Sequence, residues 1–84
     1  MVTITTKEIT DIYGINKVLY KSGRKTLAEI SKPNELNGFH FRTSIHITKY
    51  GGICGNWETL EKAKEVLKNY FSGLYFGNVE IIYN

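Results

Sequence analysis

The clearest pattern in the chain is a two-residue alternation from Phe39 to Tyr50, FHFRTSIHITKY. Phe39, Phe41, Thr43, Ile45 and Ile47 fall on one side; His40, Arg42, Ser44, His46, Thr48 and Tyr50 fall on the other. Side chains alternate across a strand, so this spacing predicts a strand with one face on the core and one facing water or a partner. Gly51-Gly52 then predicts a tight turn, and Ile53–Trp57 a short return strand. In that register Ile53 pairs with Tyr50, and Trp57 falls opposite His46.

The period changes at Thr59. Leu60, Ala63, Val66, Leu67, Tyr70 and Phe71 recur at three- and four-residue steps, which makes one apolar stripe of a helix. Charged residues and Asn69 fill the other side. Thr59 is a natural N-cap, because its hydroxyl can accept from an unpaired first-turn amide. Gly73 is the expected stop. The helix is placed at residues 59–71, roughly 20 Å at 1.5 Å per residue.

Before these elements, Val2–Ile9 reads as a β-branched strand. Ile15–Lys21 and Arg24–Ile30 flank Ser22-Gly23, a two-residue hairpin signal that pairs Ile15 with Ile30, Lys17 with Ala28 and Leu19 with Thr26. Both sides of that hairpin carry apolar groups, so the pattern leaves open which is buried. Ser31–Gly38 is a loop broken by Pro33 and Gly38. Val79–Tyr83 is a last strand. The expected fold is α+β: an antiparallel sheet of about five or six strands with one amphipathic helix on one face, in the order β-ββ-ββ-α-β.

The 84 residues fit a single domain, 1–84, with room for one core. A lone cysteine, Cys54, excludes an internal disulfide and a Cys-rich zinc site, and suits a reducing, cytoplasmic setting. The start MVTITTKEIT lacks a basic segment followed by a long apolar run, so no signal peptide is expected. No apolar stretch approaches the roughly 20 residues that cross a bilayer, so a membrane is not an expected partner.

Charge is unevenly placed. Residues 17–49 carry Lys17, Lys21, Arg24, Lys25, Lys32, Arg42 and Lys49 against Glu29 and Glu35; the remainder carries four lysines against six acids. The sheet-forming half therefore favours an anionic partner, either an acidic protein surface or nucleic acid.

Catalytic and metal chemistry are not expected, and neither is a cofactor. His40 and His46 share a strand face but are six residues apart, roughly 20 Å at about 3.3 Å per residue, too far to ligate one zinc ion. Ser44 lies near His46 on that face, but no acid falls in a suggestive pattern with either histidine. The glycines of GGICGNWET lack the Gly-Lys-Ser/Thr of a phosphate loop. A binding face remains. Lys21, Arg24, Lys25, His40, Arg42, His46, Lys49 and Tyr50 are its candidate residues, since basic groups interleaved with aromatics suit both phosphate contact and protein hot spots. Trp57 belongs either to that face or to the core beneath the helix; the core is the reading adopted.

The stretch FRTSIHITKYGGICGNWETLEKAKEVL, residues 41–67, resembles the hairpin-then-helix unit of phage-integrase arm-type DNA-binding domains and plant ethylene-response-factor domains. The shared features are a strand, a glycine turn, a short strand, an aromatic residue (Trp57), then Thr59, Glu61 and Ala63 opening a helix. That resemblance implies a sheet presented to DNA and a buried aromatic before the threonine. The chain departs from it in carrying one Arg and two His where those families carry several Arg and Trp. In type, a short Tyr-, Lys- and Ile-rich domain of strands plus one helix is also similar to small phage and mobile-element proteins, including the anti-CRISPR inhibitors. The expected function is thus a non-catalytic binding module that inhibits a host protein complex, with an arm-type DNA-binding domain as the alternative. Val2–Ile9 and Val79–Tyr83 are read as sheet edges, through which two copies would pair as a homodimer.

Overall fold

The computed structural model describes residues 1–35, 38–46 and 55–84. They form β1 (Val2–Thr10), β2 (Asn16–Ser22), β3 (Lys25–Ser31), β4 (Phe41–Ile45), β5 (Gly55–Trp57), α1 (Leu60–Leu74) and β6 (Val79–Ile82). The α+β class, with one helix on a sheet, is as the periodicity predicts. The sheet, however, is mixed. Its order is β5-β4-β3-β2-β1-β6; β6 runs parallel to β1, and the other neighbours are antiparallel. Strands β1 to β5 make one continuous meander rather than a strand and two separate hairpins. The helix then carries the chain from one edge of the sheet to the other.

Helix length explains that crossing. From β5 to β6 is five inter-strand steps, about 24 Å at roughly 4.8 Å each, and the 15 residues of α1 span about 22 Å. The helix touches β3, β4, β5 and β6 as it crosses, and it delivers the chain to the end of the sheet where β1 begins. Val2 therefore faces Val79 in the parallel register, and β1 is an inner strand. The expectation that Val2–Ile9 is a free edge is overturned; among the described strands, β6 keeps an edge open.

Each turn has a local cause. Asp11 makes the β1–β2 turn, its carboxylate accepting from the backbone N–H groups of Tyr13 at 2.9 Å and Ile15 at 3.0 Å. Between β2 and β3 the loop residues are Gly23 and Arg24, not Ser22 and Gly23, because Ser22 still pairs with Lys25. Gly23, at φ 62°, takes the positive φ that opens a type II′ turn. A bulge follows: Lys21 pairs with Thr26, but Tyr20 pairs with Ala28, so Leu27 is the extra residue. Without it Glu29 would fall opposite Val18. With it Ala28 and Ile30 join Val18 and Tyr20 on the helix side. The register expected from the sequence is corrected accordingly: Lys17 pairs with Ser31 rather than Ala28.

The core lies between α1 and that side of the sheet: Ile4, Val18, Tyr20, Leu27, Ala28, Ile30 and Ile45 meet Ala63, Leu67 and Phe71. Phe41, Thr43 and Ile45 face it as the alternation predicts, but Phe39 does not; it is 72% exposed. Gly38 at φ 67° and Phe39 at φ 61° are consecutive left-handed residues, and they break the extended backbone before β4. Trp57 pairs with Phe41 rather than His46. The difference is an odd number of places, so this register puts the indole on the core side, as expected of Trp57, where its N–H donates to Thr43 Oγ1 at 3.1 Å.

Thr59 caps α1 as predicted, with Oγ1 accepting from the Lys62 N–H at 3.1 Å. The helix runs through Gly73 to Leu74. Its stop is a Schellman motif: Phe76 N–H donates to the Gly73 carbonyl at 3.4 Å and Gly77 N–H to that of Ser72 at 2.7 Å. Phe76 holds the left-handed position of that motif at φ 55°.

Candidate functional site

Because α1 covers one side of the sheet, the other side is left open. The alternation of each strand and the register place Lys7 and Ile9 of β1, Lys17, Leu19 and Lys21 of β2, Glu29 and Ser31 of β3, and Arg42 and Ser44 of β4 on that open face. A cleft of about 360 Å³ opens there, walled by Ile15 from the β1–β2 turn and Asn34 from the β3–β4 loop and floored by Lys17, Glu29, Ser31, Arg42 and Ser44.

The charges in the cleft are organised as a chain. The Lys17 ammonium lies 3.4 Å from Asp11 Oδ2 and 3.4 Å from Glu29 Oε2, and His46 Nε2 lies 3.5 Å from Glu29 Oε1. The side chains of Lys17 and Glu29 are only 22% and 17% exposed, so these contacts are partly withdrawn from solvent. The turn amide of Ile15 holds the Asp11 carboxyl below its ordinary value of 3.8; the Tyr13 amide and Lys17 push the same way, and burial opposes them. Arg42 stands apart. It is exposed, and among the described residues no carboxylate pairs with it.

No known protein family matches the chain, and no curated protein or solved structure is significantly similar to it. The site therefore stands on its own geometry.

Of the residues picked out in the sequence, Arg42 lines the cleft, and His46 lies further along the same face beyond Ser44, reaching it only through Glu29. Lys21 lies on the same face, half-buried, at the far end of β2, and Arg24 and Lys25 are exposed at the turn beyond it. His40 is separate: it precedes β4, and its Nδ1–H donates to the Gly38 carbonyl at 2.8 Å. Lys49 and Tyr50 lie outside the described residues, as do the Gly51-Gly52 turn and Cys54. No acid falls in a suggestive sequence pattern with either histidine, but the fold brings Glu29 Oε1 to 3.5 Å from His46 Nε2. Ser44 faces Glu29 across the strands but makes no hydrogen bond to His46, so the three do not form a relay to a hydroxyl. Sequence reasoning missed Asp11, Lys17, Glu29 and Ser31, because only the bulge at Leu27 brings Lys17 beside Ser31. Among the described residues no group of three His, Cys, Asp or Glu gathers to hold a metal, and no helix is long and apolar enough to cross a membrane.

Proposed function

We propose that the chain is a non-catalytic binding module that docks the open face of its sheet on an acidic protein surface. Its similarity in type to small phage and mobile-element proteins extends this to inhibition of a host protein complex in the cytoplasm. The observation that carries the reading is the division of charge between the two faces. The outer side of α1 sets Lys62, Lys64 and Lys68 against Glu61 and Glu65, with Glu58 just before it. The open face and its β2–β3 turn set Lys7, Lys17, Lys21, Arg24, Lys25 and Arg42 against Asp11, Glu29 and Glu80, with Leu19 among them. An uncovered sheet face with surplus cations around an aliphatic centre suits a protein interface.

The test compares charge reversal on the two faces. Lys7→Glu/Lys21→Glu should lose a specific host complex in pull-downs and lose activity in a phage-defence assay, while Lys62→Glu/Lys68→Glu keeps both. The reverse pattern, or no host protein with either form, would remove the reading. Nucleic acid is the competing partner, favoured by the hairpin β4–β5 leading through an inward Trp57 into a Thr-capped helix. Glu29 at the middle of the open face counts against it. A gel-shift series decides: phosphate binding shows a log–log salt slope of about −0.9 per phosphate neutralised. The open edge of β6 leaves a second copy as a further occupant, which light scattering reads as a dimer.

A further inference from the structure

We infer that the cleft beside Arg42 is a receptor for a single carboxylate, the side chain of a glutamate or aspartate on the partner. This rests on the docking reading above and names the chemistry of its centre. Within the cleft, Lys17 is committed to Asp11 and Glu29, and Glu29 to Lys17 and His46. Arg42 is the cation left over, since among the described residues nothing pairs with it. Ser31 is its cross-strand partner and Ser44 lies two residues on, both on the same face. Neither hydroxyl makes a hydrogen bond among the described residues.

A guanidinium between two uncommitted hydroxyls is a fitted site for a planar oxyanion. The fork takes both carboxylate oxygens, and the hydroxyls donate to the remaining lone pairs. The charge balance separates carboxylate from phosphate. Glu29, in the floor, and Asp11, behind Lys17, place two fixed negative charges around one uncommitted cation. With Lys17 and Arg42 balancing those two carboxylates, a monoanion adds one negative charge, met by the Arg42 fork; a phosphate dianion would add a second one facing the carboxylates. The volume of about 360 Å³ admits one side chain and its immediate backbone, at the small end of ligand sites. Ile15 supplies an apolar wall for the methylenes of the entering residue.

The experiment is a titration of the isotope-labelled chain with N-acetyl-glutamate amide, which carries one carboxylate, and separately with inorganic phosphate, read by amide and arginine Nε–H chemical shifts. The capped glutamate should move Ser31, Arg42 and Ser44 together with the Arg42 Nε–H. Arg42→Gln should weaken that response by about tenfold or more, and Arg42→Lys nearly as much, because the two-point fork is lost. Arg24→Gln should leave it unchanged. Shifts confined to the β2–β3 turn, a response indifferent to Arg42→Gln, or phosphate acting on the same signals at lower concentration than the glutamate would each overturn the proposal. If the open-face reversals abolish the host complex while the capped glutamate leaves Arg42 unmoved, the carboxylate site falls and the docking reading stands. If the titration succeeds while those reversals leave the host complex intact, the site stands and the docking reading falls.

Discussion

Replacing Tyr20 by Phe should make this protein more stable, which is the opposite of what removing a buried hydroxyl usually does. Tyr20 is fully buried on β2, stacked on Phe71 at 6.0 Å between ring centroids and met edge-on by Tyr83 at 6.3 Å. Among the described residues its hydroxyl has no partner within hydrogen-bonding geometry. A buried, unpaired hydroxyl costs about 1–3 kcal/mol of desolvation, which the folded chain carries as a standing penalty. Deleting the oxygen vacates on the order of 10 Å³, a loss of about 0.2 kcal/mol at roughly 24 cal/mol per Å³. The balance favours Tyr20→Phe by at least about 1 kcal/mol, a rise in Tm of about 4–8 °C for a domain this size.

A second reading of the same variant comes from pH. Burial, reinforced by the neighbouring Tyr83, pushes the Tyr20 hydroxyl far above its ordinary value of 10.0. The folded state thus holds a proton that the unfolded chain releases. The stability this gives is fully present below pH 10 and drains away as pH climbs above it, at up to about 1.4 kcal/mol per pH unit. Urea unfolding followed by circular dichroism at pH 7 and again between pH 9 and 11 measures both. The wild-type chain should lose stability faster than Tyr20→Phe above pH 10. A variant that is less stable by 1 kcal/mol at pH 7, with an alkaline limb parallel to wild type, would refute the reasoning and give the hydroxyl a partner.

Three other perturbations have definite signs. Phe76→Gly should add about 1 kcal/mol in the same unfolding assay, because a left-handed backbone at φ 55° strains any residue with a Cβ and the ring, 96% exposed, contributes little packing. Gly55→Ala should destabilise by about 1–3 kcal/mol, since the new Cβ would sit 2.8 Å from Trp57 Cζ2 and the indole is held in place by Thr43. Asp11→Asn should flatten the acid limb of a pH–stability curve. The carboxyl sits below 3.8 in the fold, so its contribution is present above that pH and is lost as pH falls through the lowered value.

What could be read from the chain divides by the range of the interactions involved. The α1 stripe, the Thr59 cap and the inward side of Phe41, Thr43 and Ile45 follow from neighbours within four residues, and they are legible. The register of β2 on β3 is not, because it depends on Leu27 bulging so that Ala28 and Ile30, rather than Glu29, meet the core. No local signal marks that residue; the preference comes from the packed partner side. Trp57 is a similar case. A glycine pair suggests one register, and the gain from burying an indole against Phe71's side of the sheet sets another. The cleft inherits both difficulties. Arg42 and His46 share a face by simple alternation, but Asp11, Lys17 and Glu29 join that face only through turn and register choices made by the core. The parallel pairing of β6 depends on how far α1 travels across the sheet, which the stripe alone does not state.

That parallel pairing also sets an order of events in time. The meander β1 to β5 forms from neighbours in sequence, but β1 and β6 must close a loop of about 75 residues, which costs roughly 1.5 kcal/mol more entropy than a hairpin-sized loop of about 13. Of the described strands, β1 is made first and is then the last to have both its flanks covered. Until Val79–Ile82 arrives, β1 presents an unpaired edge of alternating β-branched residues, the kind of surface on which chains join one another. The concentration of half-made chains, more than the stability of finished ones, should therefore govern how much of this protein stays in solution when it is produced quickly.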